Sequence, residues 1–275
     1  MRSRTAAALA AVDGRLVAAG AGCFALAVYL RTLAPTVMWY DMGEFATASY
    51  VLGIAHNTGY PLYLLLGKAF TLLPVGDVAY RVNLMSAVFS AGTIVFAGLI
   101  IHELTRSRAA TLIGALTLAF SSTFWANANW AVSYPLNALS TALITWLLLR
   151  WRATGQASYA CVAALALGLS LGNHRLILLL VPGMALYLWH GRALLRPAVL
   201  ARMALLFLLG LSVYVYLPIR GEQGPSLSWA QPATAGTYWS MFLTGGSRPE
   251  YWDVSFDIVG RLGMLLDYPL YDLTV

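Results

Sequence analysis

Between Arg108 and Arg150 the chain runs for 41 residues without a charged side chain. One membrane crossing takes about 20 apolar residues at 1.5 Å of rise each, so this stretch suits two crossings joined by a turn. The turn is "NANWAVSYP", residues 127–135. Further apolar runs lie at residues 16–33, 82–101, 153–174, 176–189 and 203–219. The pattern predicts an all-α polytopic membrane protein of about seven transmembrane helices. Composition agrees, with 60% hydrophobic residues, 10% charged residues and a mean hydropathy of +0.71, outside the range of soluble domains. The first run, behind Arg2, Arg4 and Arg15, reads as an uncleaved signal anchor.

Charge orients the model. Of the 17 Lys and Arg residues, ten fall on the side of the N-terminus, from Arg2 to Arg202, against only Asp13 and Glu103 among the acids. The positive-inside rule then predicts a cytoplasmic N-terminus in a multi-pass protein of the cell membrane. Residues 45–67 are also uncharged, but "HNTGYP" at 56–61 breaks them into two short helices. Residues 34–81 are therefore read as a long first extracytoplasmic loop whose two helices lie at the membrane surface. Two regions follow: a transmembrane domain over 1–219, and a Trp- and Tyr-rich extracytoplasmic segment over 220–275.

The basic balance, a pI near 9.4, is explained by these short loops, and no basic, aromatic-laced domain exists to bind nucleic acid. Cys23 and Cys161 sit in apolar segments, as packing residues rather than a disulfide framework. P-loop, HExxH and CxxC motifs are absent.

The acids stand out against this background. Asp41 and Glu44 in "MWYDMGEF" open the outer loop and have two readings. D-x-x-E ahead of an apolar stretch has the spacing of a capping box. Residues three apart also share a helix face, so both carboxylates can point into one cavity. Other polar groups fall on the same outer side: His56, Arg81, Asn173, His174, Arg175 and Arg220. Each has a bland reading as an interfacial anchor or packing group, but polar groups near a bilayer are a default sign of function.

Acids and bases beside a lipid phase suit transfer of a sugar from a lipid phosphate. A carboxylate takes the proton of the attacking hydroxyl, and Arg or His stabilises the departing phosphate. Trp229, Trp239, Tyr251 and Trp252 are candidates for stacking on sugar or acceptor. No cofactor is expected; His56, His174 and the two carboxylates offer ligand chemistry for a divalent metal, but nothing in the sequence fixes their spacing.

"LAPTVMWYDMGEFATASYVLGIAHNTGYPLYLLLGKAF", followed by "SYPLNAL", "GLSLGNHRLILLLVP", "YLPIRG" and "PSLSWAQP", resembles a bacterial family of polytopic membrane proteins. That family is related to the eukaryotic transmembrane protein O-mannosyltransferase and more distantly to GT-C glycosyltransferases. The resemblance covers residues 33 to about 232. It implies a GT-C-like fold with an acidic motif in the first outer loop, Asp41 at the position of the catalytic base and Glu44 as its partner. It also implies a polyprenyl-phosphate sugar donor such as a mannosyl lipid, an extracytoplasmic protein or glycan acceptor, and inversion at the anomeric carbon. Two departures are Val132, where the family pattern carries a glutamate, and "HNTGYP" in place of a more proline-rich block. The rival expectation is a membrane protein that binds or moves a polyprenyl lipid or another solute without catalysis.

Overall fold

Asp13 opens the first helix by accepting the Arg15 N–H at 3.1 Å, and α1 spans Gly14–Thr32. The computed structural model describes residues 13–230 and 234–243, and Tyr251 and Trp252 lie outside them. Two short helices follow, α2 (Met42–Val51) and α3 (Pro61–Thr71), separated at the "HNTGYP" break. Asp77 then caps the long α4 (Val78–Thr105), its carboxylate accepting the Tyr80 N–H at 2.7 Å. Caps of this kind stabilise a helix by about 1 kcal/mol.

The uncharged stretch after Arg108 divides as α5 (Arg108–Ala119), α6 (Ser122–Ala128) and α7 (Tyr134–Thr154). The first two are bent against each other by 68°. Next come α8 (Ala157–Leu171), a 3₁₀ turn over Arg175–Leu180 that continues into α9 (Val181–His190), and α10 (Pro197–Leu211). Another 3₁₀ turn, Ser212–Val215, joins α10 to α11 (Tyr216–Glu222), and α12 (Ala235–Leu243) follows. No strand occurs among the described residues, and their regular structure is all helical. Among the described residues, three helices are long and apolar enough to cross a membrane: α1, α4 and the continuous run Pro197–Glu222. The bent pair α5–α6 makes a fourth if it counts as one broken span.

α1 packs along α4, α4 along α7, and α8 along α10. The last pair is close because Gly168 and Gly210 face the opposing backbone. A Cβ on Gly168 would collide with Phe207 O, and one on Gly210 would stand 2.5 Å from Leu165 O. Small residues of this kind let helices approach where lipid gives no hydrophobic drive between them.

The bundle has two distinct ends. At one, the Arg150 guanidinium donates to Glu103 at 3.1 Å, and His102 approaches Asp13 at 3.9 Å. At the other, buried Asn83 donates to Ala34 O at 2.9 Å and to Thr36 O at 3.2 Å, buried Asn173 donates to Ser133 O at 3.1 Å, and Leu62 N donates to Gly172 O at 2.9 Å. These bonds tie the segment before α2 and the start of α3 onto the helix ends. They decide where the acidic pair stands.

Candidate active site

The site is built on the first turn of α2 and the link that follows it. Asp41 occupies the N-cap position, but its backbone is already helical (φ −73°, ψ 0°) and its side chain makes no capping bond. Glu44 does not complete a capping box either. Its Oε1 accepts the His56 N–H at 2.6 Å, and both carboxylate oxygens lie 3.1 Å from His56 Nδ1. The chain can fold back this way because Leu52 adopts a left-handed conformation (φ 52°) and its N–H closes α2 on Ala48 O.

The returning link is clamped from α11 and beyond. Tyr216 donates its hydroxyl to Gly53 O at 2.6 Å, and Arg220 donates to Leu52 O at 2.7 Å and to Val51 O at 3.0 Å. Ile54 N donates to Leu227 O at 2.9 Å, and Trp229 N donates to Ile54 O at 3.0 Å. Trp229 is thereby held with its ring 6.3 Å from that of His56, edge to face, while remaining 62% exposed.

Asp41, Glu44 and His56 each contribute one ligand-type atom to a group whose members all lie within 4.8 Å of one another. These three side chains could hold a metal ion; His174 is not among them. The sequence had grouped both histidines with the acids. A row of rings separates the two instead: the Tyr60 hydroxyl is 3.2 Å from His56 Nε2, and His174 lies 6.0 Å from the Tyr60 ring and 5.7 Å from that of Tyr134. Tyr60 and Tyr134 were not singled out from the sequence. For Tyr60 the available signal was its place four residues after His56 in "HNTGYP".

The two histidines titrate in opposite directions. The hydrogen bond to Glu44 raises the His56 pKa above its ordinary value against the pull of burial, and the charges of Glu44 and Asp41 add to the rise. His174, beyond the end of α8, is pushed down by burial, then by the charges of Arg175 and His56. Its Nδ1 accepts the Leu176 N–H at 3.1 Å, which requires that nitrogen to be unprotonated. Burial also pushes the Tyr60 phenol up, so it keeps its proton.

The remaining candidates have visible structural roles. Arg81 donates to Val75 O, Thr71 O and Gly76 O at 2.7, 2.7 and 2.9 Å, closing the turn between α3 and α4. Arg220 holds the link after α2, and Asn173 ties the end of α8 to the start of α7. Beside the site, Leu211, Tyr214, Leu217, Pro218, Ala235, Tyr238 and Trp239 line an apolar cavity of about 420 Å³. Leu217 connects it to the site, since a Cβ on Gly59 would stand 2.7 Å from its Cδ2.

A family model described as the protein O-mannosyl-transferase TMEM260 N-terminal domain matches residues 41–194. The chain belongs to this family. The match begins at Asp41 and takes in the whole acid and histidine cluster. Among relatives, protein O-mannosyl-transferase TMEM260 of Mus musculus is 34% identical over 238 residues, covering 82% of this chain and 33% of the relative. Its Dictyostelium discoideum counterpart is 24% identical over 245 residues, covering 82% of this chain and 29% of the relative. The chain thus spans about a third of the length of these relatives. No solved structure matches it.

Proposed function

We propose that this TMEM260-family chain carries the reaction centre of a GT-C-like membrane glycosyltransferase. It moves a sugar, mannose by the relatives' names, from a polyprenyl-phosphate carrier to a hydroxyl of an extracytoplasmic protein or glycan. The observation that carries this reading is the Asp41 carboxylate. It is exposed, caps no helix, and stands beside the Glu44–His56 pair at the first residue of the family match.

Asp41 takes the proton of the acceptor hydroxyl as its oxygen attacks the anomeric carbon from the face opposite the phosphate. The bond between that carbon and the phosphate oxygen breaks, and the phosphate leaves with the electron pair. His174, neutral with its Nδ1 engaged, has Nε2–H to donate to a phosphate oxygen, and Arg175 supplies positive charge next to it. Glu44 holds His56 in place. Trp229 is the stacking surface for sugar or acceptor, and the apolar cavity takes the first isoprene units of the carrier. About seven transmembrane helices, a cytoplasmic N-terminus in the cell membrane and an extracytoplasmic segment after residue 219 complete the reading.

The test is transfer from a mannosyl-phosphoryl polyprenol to a hydroxyl-bearing acceptor domain, using the purified chain in lipid. Asp41→Asn should lower the rate by about 100-fold or more, the usual scale of general-base catalysis. Full activity in that variant removes Asp41 as the base. Donor binding without any transfer by the wild type favours the non-catalytic lipid-binding alternative.

A further inference from the structure

We propose that Asp41, Glu44 and His56 form a binding site for a divalent transition-metal ion of the Mn²⁺ or Zn²⁺ type. The proposal is a statement about binding and does not rest on the transfer reaction.

Geometry is the first argument. Imidazole nitrogen and carboxylate oxygen bind such ions at about 2.0–2.2 Å, which puts neighbouring ligands ~3 Å apart and opposed ones ~4.3 Å apart. Here the three donor atoms lie within 4.8 Å of one another, close to the spacing of opposed ligands. They come from two segments, the first turn of α2 and the link after it, and that link is fixed by Tyr216, Arg220 and the pairing with residues 227–229. The backbone is therefore arranged before any ion arrives.

The histidine is presented as a ligand would be. Metal-binding imidazoles almost always have their second nitrogen hydrogen-bonded, which fixes the ring. In this site the Tyr60 hydroxyl lies 3.2 Å from His56 Nε2, while Nδ1 faces the carboxylates, and the Phe45 ring packs 5.5 Å from the imidazole.

Charge gives an independent reason. His56 binds a metal only as neutral imidazole, so Glu44 and Asp41 then present two negative charges within the same 4.8 Å. No Lys or Arg forms an ion pair with either acid among the described residues. A bound dication would compensate both.

The donor set narrows the ion. One nitrogen with two oxygens suits Mn²⁺ or Zn²⁺ better than Ca²⁺ or Mg²⁺, which prefer oxygen ligands. Three protein ligands leave coordination positions open on the exposed Asp41 side, where water or a phosphate oxygen can enter.

The experiment titrates Mn²⁺ into metal-stripped full chain in lipid nanodiscs and follows bound ion by electron paramagnetic resonance. The expected result is one Mn²⁺ per chain with ¹⁴N coupling from a single imidazole. His56→Gln should abolish the coupling, and Asp41→Asn and Glu44→Gln should each weaken binding at least ~10-fold. Tyr60→Phe, which removes only the supporting hydroxyl, should weaken it by about 10-fold. Asp77→Asn, an acid at the same end of the bundle but outside the set, should keep wild-type affinity. Asp41 makes no side-chain bond that folding needs, so its variant stays interpretable even if Glu44→Gln unfolds. Absence of bound Mn²⁺, binding unchanged by Asp41→Asn, or binding without ¹⁴N coupling would each overturn the site. Transfer activity enters none of these readouts, so failure of the metal site and failure of the transferase reading remain distinct.

Discussion

Asp41 and Glu44 have the spacing of a capping box and do not form one, and the reason lies in a single pair of dihedrals. An N-cap side chain reaches the N–H groups of the next turn from an extended backbone, whereas Asp41 is already in the helical region. Its carboxylate is left free, and Glu44 turns to the His56 N–H instead. The acid pair itself was conspicuous in the sequence because acids are rare in this chain. The partner of Glu44 was not, since it depends on the left-handed turn at Leu52. His174 yields the prediction at this scale. Its folded pKa lies below the unfolded value of about 6.5, so the unfolded state binds the extra proton first. Stability is therefore lost as pH falls from about 6.5 through the depressed value. His56 has the opposite sign: its contribution is present below about 6.5 and is lost as pH rises through its raised value. His174→Asn keeps an acceptor for the Leu176 N–H without a titrating ring. In chelator-treated buffer, its melting temperature should fall less than that of wild type between pH 7 and pH 5. An equal fall in both would remove His174 from the acid response.

Helices follow the sequence where composition speaks and depart where backbone chemistry does. The break between α2 and α3 falls at "HNTGYP", as Pro and Gly predict. The 68° bend between α5 and α6 was not legible, because residues 120–121 contain neither. Phe120 N instead donates back to Leu116 O at 3.0 Å, and the Ser121 hydroxyl donates to Leu118 O at 3.0 Å, so the bend leaves few polar groups unpaired. The contact between α8 and α10 was equally hidden, since a glycine in an apolar run does not announce what it faces. Gly168→Val should destabilise the chain by about 1–3 kcal/mol, the usual range for overpacking a tight interface. Gly183→Ala in α9, where an added Cβ meets nothing within 4 Å, should be neutral or mildly stabilising. Unfolding of both variants in mixed micelles checks the pair. Equal stability would mean that the α8–α10 approach is not held in the membrane.

The two ends of the whole molecule differ in chemistry, and that difference bears on orientation. Arg15, Arg150, Glu103 and His102 line a cavity of about 370 Å³ at one end, and the acid and histidine cluster sits at the other. The count of Lys and Arg along the sequence assigns these groups to opposite sides of a membrane. In the structure the two sets lie at opposite ends of the bundle, because α1, α4 and α7 each run from one end to the other. The proposed positive-inside orientation would put Asp41 outside and the Arg150 end in the cytoplasm. Trp39, 71% exposed, and Gln156, exposed at the start of α8, stand at the two ends. In a background with Cys23→Ala and Cys161→Ala, Trp39→Cys should react with a membrane-impermeant maleimide on intact cells. Gln156→Cys should react only after permeabilisation. The reverse pattern would invert the protein and put the proposed site in the cytoplasm, away from extracytoplasmic acceptors. Labelling of both from one side would mean an even number of crossings between residues 39 and 156. The bent pair α5–α6 would then be re-entrant or α7 would not cross, which removes the seven-helix arrangement while leaving the geometry of the acid and histidine cluster intact.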